Sequence, residues 1–503
     1  MKPPEAPSYF PALSARSRIV AVLSGALGLV SFVSLQLNQD TLTAFQFSMG
    51  LTILGIVCGR WWTNPVHPGI FNYFSPYTAV LANCFVYYGP GNLPPLAHPE
   101  QIQITYGSQE YYPPVLIMAL AGIIAFDLGY RYLVRLLRIN ESLERCLADF
   151  YSPRGQSLIA PIAFTWYSVC MGIIIYMSQK YLMSTLHFVG VGSDAGIETS
   201  FSQAGPALLG VAWGTTSLLF FRKSRRWFTI VAVAMLVLTL PIFLAYQQRR
   251  LFLFAFLASA VAFSLSQRGK VHLRKIFLAI VGAMASFILM SMAKAAVTRA
   301  DPGVGRFTHE ERNIFARAQR IITSPSFFSS QPLETLLQNN ARERMAGLDW
   351  PAAIMDSHLN QGAPFLWGKT NLTSIGMTVP RLLWPGKPSI GIGAFIYSNF
   401  GLAAIDPLGT PLSSAYADGG IIGITLAFFW MAILFSCFLK VLLLRPDGLI
   451  IYVGILPLLL RFEDTASRYP IRWIRWILIM IVVNTAISYV HNIYAIRRHE
   501  DRH

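Results

Sequence analysis

Arginine in this chain gathers where apolar runs turn back on themselves. Arg249 and Arg250 form a basic pair in a very short turn between two such runs. Arg344 stands ahead of Asp349 and Trp350, and Arg381 stands ahead of Trp384 and Lys387. Arg461 is followed by Glu463, Asp464 and Arg468. A guanidinium is planar and always charged, and its forked N–H groups match a phosphate through paired hydrogen bonds. Several of them, from separate segments, could bind a phosphate-bearing group. Carboxylates such as Asp349 and Asp464 could take a proton from a hydroxyl. Trp384 offers a flat face, suited to the headgroup level of a membrane or to stacking on a sugar ring.

The elements that must hold these residues follow from composition. The 503 residues are 54% hydrophobic and only 13% charged, and mean hydropathy is +0.48. Ordinary soluble domains carry roughly 25% charged residues, so a soluble globular enzyme and a disordered chain are excluded. An outer-membrane barrel alternates in polarity and lacks long apolar runs, so it is disfavoured. The expected fold is all-α: a polytopic helical membrane bundle. Its net charge of +16 is expected in cytoplasmic loops, not on nucleic acid. The five cysteines have no CxxC spacing and mark neither a zinc site nor a disulfide module. Cys58, Cys84, Cys170 and Cys437 lie in or beside apolar runs, and Cys146 lies in a basic loop.

A span needs roughly 20 apolar residues. The runs at 19–37, 40–58, 69–89, 114–134, 158–179, 205–221, 228–246, 251–266, 276–297, 419–440, 447–461 and 472–493 meet or approach that length. The segment 69–89 is rich in aromatics and holds a proline, and 447–461 is short. This predicts about twelve spans: about nine in 1–297, a loop at 298–418, and about three in 419–503. The first run is read as a retained helix, because no small-residue cleavage site follows it. Alternate loops carry the Lys and Arg residues, from Arg60 through Arg131–Arg154 and Arg222–Arg226 to Arg497 and Arg498. Both termini are then cytoplasmic. The arginines of the opening paragraph fall on the opposite, extracytoplasmic face, against the positive-inside bias. Lipid-phosphate anchoring by long side chains is the bland explanation for any one of them.

The loop 298–418 reads as a folded cap. Thr308-His309-Glu310-Glu311 is a capping-box pattern opening an amphipathic helix, a second helical stretch lies near 333–348, and Pro351 can start a third running to His358. Candidate bases on this face are Asp349, Asp356, His358, Asp418, Glu463 and Asp464. Gly419 and Gly420, at the entrance to the next span, are expected to allow close helix packing.

At Trp384-Pro385-Gly386-Lys387-Pro388-Ser389 the chain resembles the Wzy-type oligosaccharide repeat-unit polymerases, which show a W-P-x-K/R-P segment in a large periplasmic loop. Ser413, Ser414, Gly419 and Gly420 match the family's later serine stretch and Gly-Gly helix entrance. Arg344 and Trp350 match its upstream Arg and Trp. Arg250, or Arg249 in a shifted register, matches an Arg in a tight periplasmic turn. Arg461 with Glu463 and Asp464, and Arg468, match a segment before the last helix. The resemblance covers roughly the C-terminal half, and the paired R-x10-G pattern of some relatives is absent at the loop arginines.

This likeness implies a GT-C-like bundle in a bacterial inner membrane and a metal-independent glycosyltransferase without cofactor. It would transfer a polyprenyl-diphosphate-linked glycan onto the next lipid-linked repeat unit of a surface polysaccharide. Arg250, Arg344 and Arg461 would bind the diphosphate, with Asp349 and Asp464 as acid–base candidates. Arg249, Arg381, Lys387, Trp384 and Arg468 would line the substrate. The implied partners are the lipid-linked oligosaccharide, the bilayer, a chain-length regulator and a flippase, with no nucleic acid. An O-antigen ligase is the nearest alternative. A flippase fits less well, because only Lys294 and Asp127 stand well inside apparent spans. A scaffold would leave the outward arginines unexplained.

Overall fold

The computed structural model describes residues 48–57, 66–69, 71–89, 111–180, 196–221, 226–246, 249–266, 347–376, 392–402, 410–460, 466 and 468–500, together with positions 25, 26, 28, 29 and 282. Helices and turns account for the regular structure, with no strand among the described residues. In chain order the helices are α1 (Ser48–Val57), α2 (Pro76–Tyr88), α3 (Tyr112–Leu136), α4 (Ile139–Tyr151), α5 (Pro153–Lys180), α6 (Gly196–Phe221), α7 (Arg226–Tyr246) and α8 (Arg249–Ser266). After these come α9 (Asp349–Gln361), α10 (Lys369–Gly376), α11 (Ile392–Asn399), α12 (Pro411–Leu443), α13 (Gly448–Ile455) and α14 (Arg468–Glu500).

Prolines open several of them where no backbone N–H is needed. Ser75 caps α2 ahead of Pro76, with its side chain accepting from Thr78 N. Thr410 caps α12 ahead of Pro411 in a reciprocal capping box with Ser413.

Among the described residues, four helices are long and apolar enough to cross a membrane: Tyr112–Leu136, Pro153–Ile173, Pro411–Leu443 and Tyr469–His491. Shorter apolar helices are Ser48–Val57, Leu208–Phe221, Trp227–Thr239 and Leu257–Ser266. Ile117 and Leu128 on α3, Ile230 and Val237 on α7, Ile422 and Leu426 on α12, and Val482 on α14 are exposed. In water such faces would drive association; against lipid tails they are at home. The predicted spans 19–37 and 276–297, and the predicted helices at 308–322 and 333–348, lie outside the described residues apart from four positions near the start, Gly282, Gly347 and Leu348.

Two predicted spans are corrected. Segment 69–89 is a single turn, Phe71–Phe74, and then the 13-residue α2. At 1.5 Å per residue α2 covers about 20 Å, short of the roughly 30 Å core. Segment 447–461 is α13 followed by a 3₁₀ turn at Leu456–Leu460. Every residue of α13 is buried, so it packs against protein on all sides. Gly214 of α6 faces it so closely that a Cβ there would lie 2.8 Å from Val453 O.

The central crossing is α3 on α12. A Cβ on Gly122 would lie 2.8 Å from Ile424 Cγ2, and one on Gly129 would lie 2.6 Å from Phe429 Cδ2. Small residues thus let two long helices approach closely. Because contacts advance together along both helices, α3 and α12 run in the same direction. Trp166 Nε1 of α5 donates to Asn484 Oδ1 of α14 at 2.9 Å inside the bundle.

The bundle therefore has two ends. At the α4 end, Lys440 Nζ donates to Ser142 Oγ (2.6 Å), Cys146 Sγ to Arg445 O (3.4 Å) and Tyr151 OH to Leu265 O (2.7 Å). These contacts gather the flanks of three basic segments. At the α9 end, Gly347 N donates to Tyr87 O (2.9 Å), Asn83 Nδ2 to Leu459 O (3.1 Å) and Ala466 N to Ser414 Oγ (3.1 Å). The basic stretch read as a loop contains α4, whose Ile139, Leu143, Cys146 and Phe150 are buried. Cys146 is thus a packed residue, and burial pushes its thiol up to about 12.

Candidate functional site

The α9 end carries the described candidate side chains. Asp349 lies in the first turn of α9, and Tyr112 OH donates to its carboxylate. One helical face further along, Asn360 Nδ2 donates to Asp356 Oδ1 at 2.6 Å and to Tyr111 OH at 2.9 Å. Residues 349, 356 and 360 are spaced by seven and four, which puts them on one side of a helix. That side meets the two tyrosines that open α3. Tyr111, Tyr112 and Asn360 were not singled out from sequence. The available signal was Tyr111-Tyr112-Pro113-Pro114, a polar aromatic pair fixed at a helix start by proline.

The opposite side of α9 presents His358. Its Nδ1 lies 2.6 Å from Ala363 O, and a carbonyl only accepts, so Nδ1 carries a proton and donates it. The ring stacks on Phe365, with centroids 4.0 Å apart. α9 starts at Asp349, ahead of the expected Pro351, and runs to Gln361, where Gly362 takes a left-handed conformation at φ 70°.

Gly419 and Gly420 do something other than pack helices. They break α12, with Gly420 at φ 58° and ψ −138°, a conformation open essentially to glycine. The break releases carbonyls at the end of the short Pro411–Asp418 segment. Leu366 N takes Ala417 O and Trp367 N takes Asp418 O, each at 2.8 Å. The Asp418 side chain accepts from Thr370 N (3.0 Å), Asn371 N (3.2 Å) and Asn371 Nδ2 (2.7 Å). It is buried and caps α10. Asp418 is thus a structural carboxylate, and its place among the candidate bases is withdrawn. Trp367 sits beside the break, 75% exposed, at the non-glycine φ of 46°.

Of the residues selected from sequence, Arg344, Arg461, Asp464, Arg381, Lys387 and Trp384 lie outside the described residues. Arg249 and Arg250 form the first turn of α8, and Arg468 the first residue of α14. The far end of α8 reaches Leu265 at the α4 end, so its arginine-bearing turn is at the opposite end. α8 also packs on the Leu456–Leu460 turn, whose last residue directly precedes Arg461 in the chain.

A second polar cluster lies toward the α4 end. Arg131 Nε contacts Asp127 Oδ1 at 2.6 Å. Tyr77 OH donates to the same carboxylate and accepts from Arg131 Nη2 at 2.8 Å. His67 Nδ1 meets Asn140 Oδ1 at 2.8 Å and its Nε2 meets Tyr130 OH at 3.1 Å. Burial pulls His67 down to about 4, against the upward pull of the Asn140 bond. Among the described residues, no three His, Cys, Asp or Glu side chains group to hold a metal ion. No known protein family, no curated protein and no solved structure matches the chain.

Proposed function

We propose that the chain is a membrane glycosyltransferase that polymerises lipid-linked oligosaccharide repeat units. The α9 end faces away from the cytoplasm, and the growing glycan leaves its polyprenyl diphosphate for a hydroxyl of the next lipid-linked unit. The observation that supports this reading is the sharing of one end by segments distant in sequence. α8 opens there with Arg249 and Arg250. α9 opens there five residues after Arg344. The turn before Arg461 is tied there through Leu459 O to Asn83 and Tyr469. Arginines from three such segments supply a diphosphate with fixed positive charge as the glycosidic bond breaks. Asp349, half-buried and steered by Tyr112, is the described carboxylate in position to take the acceptor proton.

The test is the glycan profile of a deletion strain complemented with variants. Loss of long chains, with a single repeat still attached to its final acceptor, supports a polymerase. Complete loss of attached glycan points instead to a ligase. Arg250→Ala, Arg344→Ala and Arg461→Ala are each expected to lower turnover about 100- to 1,000-fold. Lysine at these positions rescues only in part, because the forked geometry is lost. Normal long-chain polymer from all three Ala variants overturns the assignment.

A further inference from the structure

Helix α10 has its polarity inside out. Thr370 and Ser374 are buried against the protein, while Leu372 is 71% and Ile375 42% exposed. A water-facing helix buries its apolar stripe and shows its polar one. Here the exposed stripe beyond Lys369 is apolar, and Trp367 at the preceding turn is exposed as well. The stripe also lies beside a span: α10 packs on α12, whose Ile421, Ile422 and Leu426 are exposed just past the break.

The backbone accounts agree. The first turn of any helix has orphan N–H groups that normally go to water. In α10, Lys369 N donates to Leu366 O (3.1 Å) and Leu372 N to Gly368 O (3.0 Å). Thr370 N and Asn371 N both go to the Asp418 carboxylate. Ser374 Oγ donates to Thr370 O at 2.7 Å. The carbonyls of Ala417 and Asp418, freed by the Gly419–Gly420 break, are taken by Leu366 and Trp367. Irregular backbone beside lipid is tolerated only when its polar groups are satisfied within the protein, and the N–H groups of Leu366, Trp367, Lys369, Thr370, Asn371 and Leu372 are.

Depth supports the same conclusion. From Ile421 to Leu443 the helix rises about 34 Å, enough for the roughly 30 Å hydrocarbon core. The break therefore falls at the edge of the core, and Trp367, bonded to Asp418 O, sits at the level where tryptophan is enriched. Exposed Lys369 is placed to reach the phosphate layer.

We propose that residues 366–376 are not part of a water-borne loop but an interfacial element whose Trp367–Leu372–Ile375 face is covered by lipid chains of the bilayer. This rests on the chain spanning a membrane and is independent of its being a polymerase. The test is spin-label accessibility in the full chain reconstituted into phospholipid vesicles. Labels at 372 and 375 are compared with 426 on the lipid face of α12 and 360 on α9. Oxygen-to-nickel-chelate collision ratios at 372 and 375 close to that at 426, and well above that at 360, are expected. Ratios like that at 360 mean water and overturn the proposal. Low collision with both reagents means a protein cover, such as a second copy, and also overturns it. On the unsubstituted protein, a phospholipid carrying a photoreactive group in its acyl chain should leave adducts within 367–375. Their absence, with adducts present on α12, counts against the proposal without relying on a labelled variant.

Discussion

The two polar regions of this molecule are built from similar residues and differ in what they leave open. Toward the α4 end, Asp127, Arg131 and Tyr77 close on one another, and His67 is held between Asn140 and Tyr130. The aromatic rings of Tyr77, Phe126 and Tyr130 pack around them. Asp127 and His67 are buried. At the α9 end, Asp349, Asp356 and His358 are half-buried and Asn360 is exposed. A buried polar cluster fixes the packing of its helices; a part-exposed one remains accessible to a ligand. The first holds helices together, and the second is where the proposed chemistry would take place.

The largest effect expected from that assignment is at the ion pair. Asp127→Ala or Arg131→Ala leaves a charge without its partner inside the bundle and should cost about 3–5 kcal/mol. Replacing both, as Asp127→Leu with Arg131→Met, leaves no stranded charge and should cost much less. Asp356→Ala at the α9 end should stay within about 0.5–1 kcal/mol, as expected for a partly exposed side chain. Thermal unfolding in detergent reads all four. Equal losses at the two ends would erase the comparison.

The next effect is acid sensitivity. Unfolded histidine binds its proton near 6.5, whereas His67 in the fold resists it down to about 4. Between those values the unfolded state holds more protons, so stability rises with pH and is lost on acidification. Going from pH 7 to pH 5 should cost about 2 kcal/mol through this residue. His67→Gln should remove that part of the slope. An unchanged pH dependence of the midpoint temperature in the variant would place the acid-labile group elsewhere.

The long apolar runs were legible because a span is set by length and hydropathy. The predicted 114–134, 228–246 and 251–266 became α3, α7 and α8 to within three residues at either end. Helix α4 escaped notice because Arg138 and Arg145 mark its stretch as a basic loop, although Ile139, Leu143, Cys146 and Phe150 carry the period of a helix. The Gly419-Gly420 pair was visible, but its role was not. Close packing and a backbone break call for the same residue, and only φ and ψ separate them. Asp418 is a similar case: a carboxylate on the expected face, spent on the first turn of α10 by a contact across 48 residues. Asp349 was legible as an acid, but the hydroxyl that orients it comes from Tyr112, 237 residues away, a pairing no local pattern encodes.

The smallest and sharpest comparison makes one chemical change at each end. Tyr77→Phe and Tyr112→Phe each delete one phenol oxygen next to one carboxylate. Tyr77 is fully buried, and its oxygen both donates to Asp127 and accepts from Arg131. Removing it leaves the buried Asp127 and the part-buried Arg131 each short of a partner, so about 1–3 kcal/mol should be lost. Asp349 is half-buried, so solvent can replace the lost hydroxyl, and Tyr112→Phe should cost about 0.5–1.5 kcal/mol. Activity should order the other way. On the proposed function, Tyr77→Phe should match the parent in a glycan-elongation assay normalised to folded protein, because Tyr77 is fully buried at the other end of the bundle. Tyr112→Phe should be slower, because Asp349 loses the contact that aims it. A Tyr112→Phe variant with parental turnover would remove Asp349 from the proposed proton transfer. A Tyr77→Phe enzyme slowed at normal stability would show that the closed network does more than hold helices together.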